Sequence, residues 1–209
     1  MKRMGTMTKS FISNCLAEQS SGINSRYTYS LPLYSIGIML LELLENGYIH
    51  VDQKNKIRII KEQDIKIPYF NSLMLLLQNR EPHTCKEWIY YFGTEQKIVN
   101  ELFMDVLKEM EEEGGVRFQS KKVLSCIFNQ IKVEYVHSTN SFVDYIQKDV
   151  LLKKGNAIER ITFLWKYCYA AYMNEQELVP LKKEQTVYKL VQQIQEGVLE
   201  GAQRTVLFV

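Results

Sequence analysis

Residues 35–49 read Ser-Ile-Gly-Ile-Met-Leu-Leu-Glu-Leu-Leu-Glu-Asn-Gly-Tyr-Ile, and this stretch decides the class of fold. From Ile36 to Leu44 the residues are apolar on nearly every face of a helix, which predicts a helix buried on all sides. Asn46 and Gly47 then supply a stop, because glycine readily adopts the left-handed conformation that ends helices. A chain that must bury such a helix is expected to be mainly α-helical.

Two short β-rich segments follow this helix. Residues 48–51 and 56–60 flank the polar stretch Asp-Gln-Lys-Asn at 52–55, and this arrangement predicts a β-hairpin. A helix followed by a hairpin is the outline of a winged-helix unit.

The same outline returns about 68 residues further along the chain. The clearest amphipathic helix of the sequence runs from Glu95 to Met110 and stops near Gly114. We predict a second hairpin after it, made of residues 115–118, a basic turn around Lys121 and Lys122, the apolar run 123–128, and residues 131–136.

Further helices are predicted over residues 70–79, 157–173 and 187–199, and after Thr84, which with Glu87 forms a capping box. Residues 1–30 are rich in Ser, Thr and Asn and predict a flexible, loosely attached N-terminal arm. We therefore expect one compact, mainly α domain over residues 31–209, carrying two short β-hairpins in winged-helix-like units.

Composition and charge exclude several classes of protein. Lys and Arg number 26 against 24 Asp and Glu, so the net charge of +2 provides no polycation for non-specific nucleic-acid binding. The longest apolar stretch is far shorter than the ~20 residues that cross a bilayer, and no signal peptide is recognisable. The four cysteines lie far apart without a C-x-x-C pair, which predicts reduced thiols in a cytosolic protein rather than disulfides or a metal site.

Catalytic motifs are missing from the sequence. It contains no G-x-S-x-G, P-loop, H-E-x-x-H or G-x-G-x-x-G pattern. His50, His83 and His137 are interpreted as surface or capping residues, although Cys85 beside His83 could form a thiolate at a helix N-terminus. We expect a non-enzymatic protein with no catalytic residue, metal or cofactor.

Nucleic-acid binding is the main alternative, as a winged-helix-like module that binds nucleic acid or protein. The first hairpin would be a basic wing, with Lys54, Lys56, Arg58 and Lys61. The preceding helix argues against base readout, since a recognition helix needs several polar or basic side chains and this one offers mainly Ser35, two glutamates and Asn46.

Several stretches together resemble the Golgi phosphoprotein 3 family in its broad sense, which includes bacterial members. Leu40-Leu41-Glu42-Leu43-Leu44-Glu45-Asn46-Gly47 is similar to the family's leucine-rich helix with an internal Glu. The segment from Pro82 to Trp88 and Ile89, the Gly-Val turn at 115–116 before an apolar hairpin, His137 with Asn140, and the helical stretch Glu159-Arg160-Ile161 are similar to further family segments, over residues ~30–195.

The resemblance implies a helical domain that binds phosphatidylinositol 4-phosphate on a membrane and acts as an adaptor. The family's headgroup aromatic would correspond to Tyr27, but its arginine positions hold Ile36, Glu101 and Met104 here. Without guanidinium groups a multiply charged phosphate has no bidentate partner, so we expect the fold to transfer and the phosphoinositide specificity not to.

Our functional hypothesis is a cytoplasmic, peripheral membrane or adaptor protein. The second hairpin is the expected contact with an anionic lipid, a protein partner or a second copy of the chain, because it carries apolar residues beside two lysines. The candidate lipid-binding residues are Tyr27, Lys121, Lys122, Leu124, Ile127 and Phe128.

Overall fold

The computed structural model describes residues 7–9, 11–13, 16, 31–60, 65–122, 129–135 and 185–206. Its helices are α1 (Leu31–Glu45), α2 (Pro68–Gln78), α3 (Cys85–Thr94), α4 (Gln96–Glu112) and α5 (Gln185–Val206). Two antiparallel hairpins accompany them, β1 (Ile49–Val51) with β2 (Ile57–Ile59), and β3 (Val116–Lys122) with β4 (Asn129–Tyr135). The expectation of a mainly α fold is confirmed. The predicted helix over 157–173 lies outside the described residues.

Helix α1 lies at the centre of the described structure. It begins at Leu31, earlier than the sequence predicted, and packs against α3, α4, α5 and β1. Nearly all of its side chains are buried, and the hydroxyl of Ser35 donates to the Leu31 carbonyl oxygen at 2.8 Å. An apolar helix of this kind is stable only when its neighbours remove its whole surface from water.

Both helix-plus-hairpin units use the same helix ending. At the end of α1, Gly47 has φ +71° and the Tyr48 N–H donates to the Leu43 carbonyl at 3.0 Å. At the end of α4, Gly114 has φ +77° and the Gly115 N–H donates to the Met110 carbonyl at 2.9 Å. These are Schellman motifs, in which a left-handed glycine lets the chain leave the helix and start a strand two residues later.

The first hairpin is short and its turn is held by Asp52. Ile49 pairs with Ile59, and Val51 pairs with Ile57. The Asp52 carboxylate accepts hydrogen bonds from the Lys54 N–H at 2.8 Å and the Lys56 N–H at 2.9 Å. This is the local bonding that makes Asp favourable in turns.

The second hairpin differs from its sequence prediction in its register. Lys121 pairs with Gln130 and Lys122 with Asn129, so both lysines belong to strand β3. The predicted basic turn at these residues is wrong, because the ladder continues through them. The apolar run 123–128, predicted as a strand, lies outside the described residues.

The N-terminal residues that the structure describes are part of the core. Met7, Phe11, Ile12 and Leu16 are helical and at most 6% exposed. These apolar side chains leave water by packing against the helices. The boundary at residue 30 between an arm and a domain stays a prediction.

Helix α5 packs against α3 through glycines. A Cβ placed on Gly197 would lie 2.8 Å from Ile89 Cβ and 2.9 Å from the Lys86 carbonyl oxygen. A Cβ on Gly93 would lie 2.8 Å from Gly201 Cα. The two backbones therefore approach more closely than any larger residue would permit, and this contact joins helices about 100 residues apart in the chain.

Polar contacts reinforce the same pair of helices. The Cys85 N–H at the start of α3 donates to the Gln193 side-chain oxygen at 3.1 Å. Lys86 Nζ lies 2.7 Å from Glu200 Oε1 and 3.3 Å from Glu196 Oε2. Gln193 thus satisfies an N–H that has no partner within its own helix.

We expect Gly197→Ala to destabilise the protein by about 1–3 kcal/mol, because the added methyl group overpacks the contact between α3 and α5. At an exposed helical site the same change would stabilise the protein by about 1 kcal/mol. A destabilising effect is therefore evidence that the backbones of α3 and α5 approach closely at Gly197. Urea unfolding would measure it, with Leu199→Ala on the 56%-exposed face of α5 as the control. A Gly197→Ala protein as stable as the parent would contradict the packing.

Candidate functional site

The predicted lipid-binding residues are associated with the β3–β4 hairpin, except for Tyr27. Lys121 and Lys122 occupy the last positions of β3. Leu124, Ile127 and Phe128 lie outside the described residues. Tyr27 also lies outside them. The structure therefore places the two lysines on the hairpin and does not test whether Tyr27 lies near them.

The hairpin is long and is attached at its base. Each strand has seven residues, which corresponds to a length of about 23 Å. Val116, the first residue of β3, is 1% exposed and belongs to the core. Among the described elements, β3 packs mainly against β4 and α4.

The positions that correspond to the family's arginines do not form a headgroup site. Ile36 is 1% exposed in the core of α1. Glu101 is exposed on α4, where its carboxylate lies 3.9 Å from Lys97 Nζ, and Met104 packs partly buried against the core. None of these three side chains can donate hydrogen bonds to a phosphate.

The first helix-plus-hairpin unit is unsuited to reading a DNA groove. Helix α1 is buried, so it cannot be the helix that enters a groove. On the hairpin, Arg58 Nε donates to Asp52 at 2.8 Å, and this bond together with the Lys56 N–H holds the pKa of Asp52 down at about 2. Arg58 is thus paired with a carboxylate that remains ionised.

Three of the histidine and cysteine candidates, His50, His83 and Cys85, lie among the described residues. His50 is exposed on β1, and His83 lies edge-on to Trp88 with its Nδ1 3.7 Å from Glu87. Cys85 is fully buried, and burial raises its thiol pKa to about 12, so the thiolate considered from the sequence is disfavoured. His137 lies outside the described residues. The capping box of Thr84 and Glu87 is confirmed.

A buried polar cluster lies between the N-terminal residues and helices α1, α2 and α4. Glu42, on α1, is 3% exposed and is the one charged side chain classed as buried among the described residues. Its carboxylate accepts hydrogen bonds from the Thr8 N–H at 3.0 Å, the Thr8 hydroxyl at 2.8 Å and the Met7 N–H at 3.4 Å. A buried carboxylate needs such donors, because desolvation of its charge is otherwise costly.

Two further carboxylates of the cluster bind Lys9. Lys9 Nζ lies 2.8 Å from both Glu109 Oε1 and Glu113 Oε1, and its side chain is only 13% exposed. Tyr69 is fully buried, and its hydroxyl and Glu109 Oε2 have no hydrogen-bond partner. Burial raises the pKa of Tyr69, and the nearby charges of Glu109, Glu42 and Glu113 raise it further.

Sequence reasoning missed this cluster. Glu42 inside an apolar helix was a visible signal, since a charge at a buried position requires a partner. The identity of that partner was not readable, because Thr8 lies 34 residues away in a segment interpreted as a loose arm.

Among the described residues, no three His, Cys, Asp or Glu side chains are arranged to hold a metal ion. An apolar cavity of about 10 Å³ beside Cys85 is the size of one water molecule, too small for an organic cofactor. None of the helices described here has both the length and the apolar character that a membrane crossing requires.

No family model matches the chain, and no curated protein matches its sequence significantly. The resemblance to the Golgi phosphoprotein 3 family therefore remains an expectation from the sequence. The function has to be argued from the hairpin and its surroundings.

Removing each of two hydroxyl groups of the buried cluster should change the free energy of unfolding in opposite directions. Tyr69→Phe should raise the free energy of unfolding by about 1 kcal/mol, because it removes a buried hydroxyl without a partner. Thr8→Val should lower it by about 1.5–3 kcal/mol, because it removes a hydrogen bond to a charged group. Urea unfolding of both variants is the measurement, and a destabilised Tyr69→Phe would contradict the arrangement.

Proposed function

We propose that this protein is a non-enzymatic peripheral membrane protein that attaches to anionic membranes through the connection between β3 and β4. The observation that carries the proposal is the strand register. Lys122 at the end of β3 pairs with Asn129 at the start of β4, so residues 123–128 stand between the two strands in the sequence. Those residues read Val-Leu-Ser-Cys-Ile-Phe.

The composition of this connection is unusual for a hairpin. Hairpin connections are normally rich in Gly, Asn, Asp and Ser, which suit tight turns and contact with water. Here five of the six residues are apolar, and a group of large apolar side chains at such a place indicates a surface that binds something.

The neighbouring lysines favour an anionic membrane as the binding partner. Lys121 and Lys122 directly precede the apolar residues in the sequence. Lysine ammonium groups bind anionic headgroups while neighbouring apolar residues enter the acyl region. Burying Leu124 and Phe128 would contribute roughly 1.5–3 kcal/mol each, and each lysine about 1 kcal/mol. These magnitudes describe a reversible, peripheral attachment.

The proposal keeps one implication of the family resemblance and omits another. It keeps peripheral membrane binding by a helical domain. It omits specificity for phosphatidylinositol 4-phosphate, since the buried Ile36 and the acidic Glu101 replace the arginines that would bind the headgroup.

Vesicle flotation and a DNA gel shift on the same purified sample test the class of function. Binding to anionic vesicles without a DNA shift supports the proposal. A DNA shift without flotation would favour the nucleic-acid module instead, and binding to neither would point to a protein partner.

Phosphatidylinositol 4-phosphate should bind no better than other anionic lipids at equal surface charge. The lysines act as point charges and provide no bidentate headgroup contact. Flotation against vesicles matched in surface charge measures the preference. A preference above roughly tenfold, about 1.4 kcal/mol, would reveal a headgroup pocket elsewhere in the chain.

Replacing Leu124→Ser and Phe128→Ser together should weaken vesicle binding by at least about a hundredfold, since most of the apolar contribution is lost. The melting temperature should stay nearly unchanged. The matched control is Ile60→Ser with Leu75→Ser, which removes apolar side chains that are 54% and 50% exposed elsewhere. A large loss of thermal stability in the hairpin variant would assign Leu124 and Phe128 to the core and refute the proposal.

A further inference from the structure

The second hairpin begins at a helix end that is rich in negative charge. Glu109, Glu111, Glu112 and Glu113 crowd the end of α4, and no basic residue lies in its last turn. Carboxylates at a helix C-terminus are unfavourable, because they add to the negative end of the helix dipole. This helix end therefore needs a cation from elsewhere in the chain.

Lys9 provides that cation. Its Nζ lies 2.8 Å from one carboxylate oxygen each of Glu109 and Glu113, in a position where its side chain is 13% exposed. Glu109 is 24% exposed and Glu113 is 43% exposed, so water and salt screen the bond from Lys9 to Glu109 less than the bond to Glu113.

The same N-terminal residues are fixed to α1 by a second set of bonds. The Glu42 carboxylate accepts from the Thr8 N–H and hydroxyl, and the apolar side chains of Phe11, Ile12 and Leu16 are buried in the core. The segment thus joins the central helix to the end of α4.

The end of α4 is also the base of the hairpin. Glu113 is the C-cap residue of α4, Gly114 carries the left-handed turn, and β3 starts at the buried Val116. Movement of the last turn of α4 would therefore move the hairpin with it.

We propose that residues 7–9, 11–13 and 16 act as an N-terminal clamp, which holds the end of α4 through Lys9 and thereby sets the position of the β3–β4 hairpin. Release of Lys9 loosens the base of the hairpin and lowers its affinity for the membrane. The second statement rests on the proposed function, whereas the first does not.

Hydrogen exchange of backbone amides tests the clamp without any membrane. Lys9→Gln should accelerate exchange in β3 by about tenfold and leave α3 at the parent rate, because the opening is local. Lys9→Arg keeps the charge and should stay close to the parent. Lys108→Gln is the matched control, since this exposed lysine pairs with Asp105 on α4 itself.

Two exchange results would overturn the clamp. Unchanged exchange in β3 of Lys9→Gln would show that the ion pair does not hold the hairpin base. Equal acceleration in β3 and α3 would show general destabilisation instead.

Vesicle flotation of the same variants tests the link to the membrane. Lys9→Gln should weaken vesicle binding by at least about fivefold, which is the lower end of the usual coupling between two linked sites. Lys108→Gln should not weaken vesicle binding. Faster exchange in β3 with parent-like flotation would refute the control of membrane affinity. If the parent protein does not float, the proposed function fails, and the exchange result alone decides on the clamp.

Discussion

The burial of helix α1 is the constraint on which the rest of the structure depends. Its apolar residues cover nearly the whole helix surface, so it is stable only when other elements enclose it. Helices α3, α4 and α5 pack around it, and α5 reaches it from the far end of the chain. The close contact of Gly37 with Ile194, where an added Cβ would meet Cγ2 at 2.6 Å, shows how tightly α5 approaches.

Much of this arrangement was readable from local sequence signals. The stop at Gly47, the capping box at Thr84 and the apolar spacing of α4 each act within a few residues, so their outcome does not depend on the remainder of the fold. The repeated helix-plus-hairpin outline followed from the same kind of signal. Element type and order were therefore predictable in the described part of the chain.

Local signals did not determine the features that depend on distant parts of the chain. The lysines at 121 and 122 favoured the prediction of a basic turn. The β3–β4 ladder nevertheless includes them, paired with Gln130 and Asn129, because register depends on the whole partner strand. The packing of Phe11 and Ile12 likewise depends on a surface formed by helices much later in the sequence. The ion pair of Lys9 with Glu109 spans 100 residues, a distance at which sequence spacing gives no information.

The two hairpins follow the same kind of helix ending but differ in strand length and in the composition of the residues between their strands. The first has three-residue strands and a turn closed by Asp52, whose bonds to Lys54, Lys56 and Arg58 use the polar groups of the turn internally. The second has seven-residue strands, and the residues between them in the sequence, 123–128, are apolar at five of six positions. Polar groups that bond within a turn are satisfied without a binding partner. Large apolar side chains gain free energy only by leaving water. The proposed membrane contact therefore depends on what distinguishes the second hairpin from the first, rather than on their common outline.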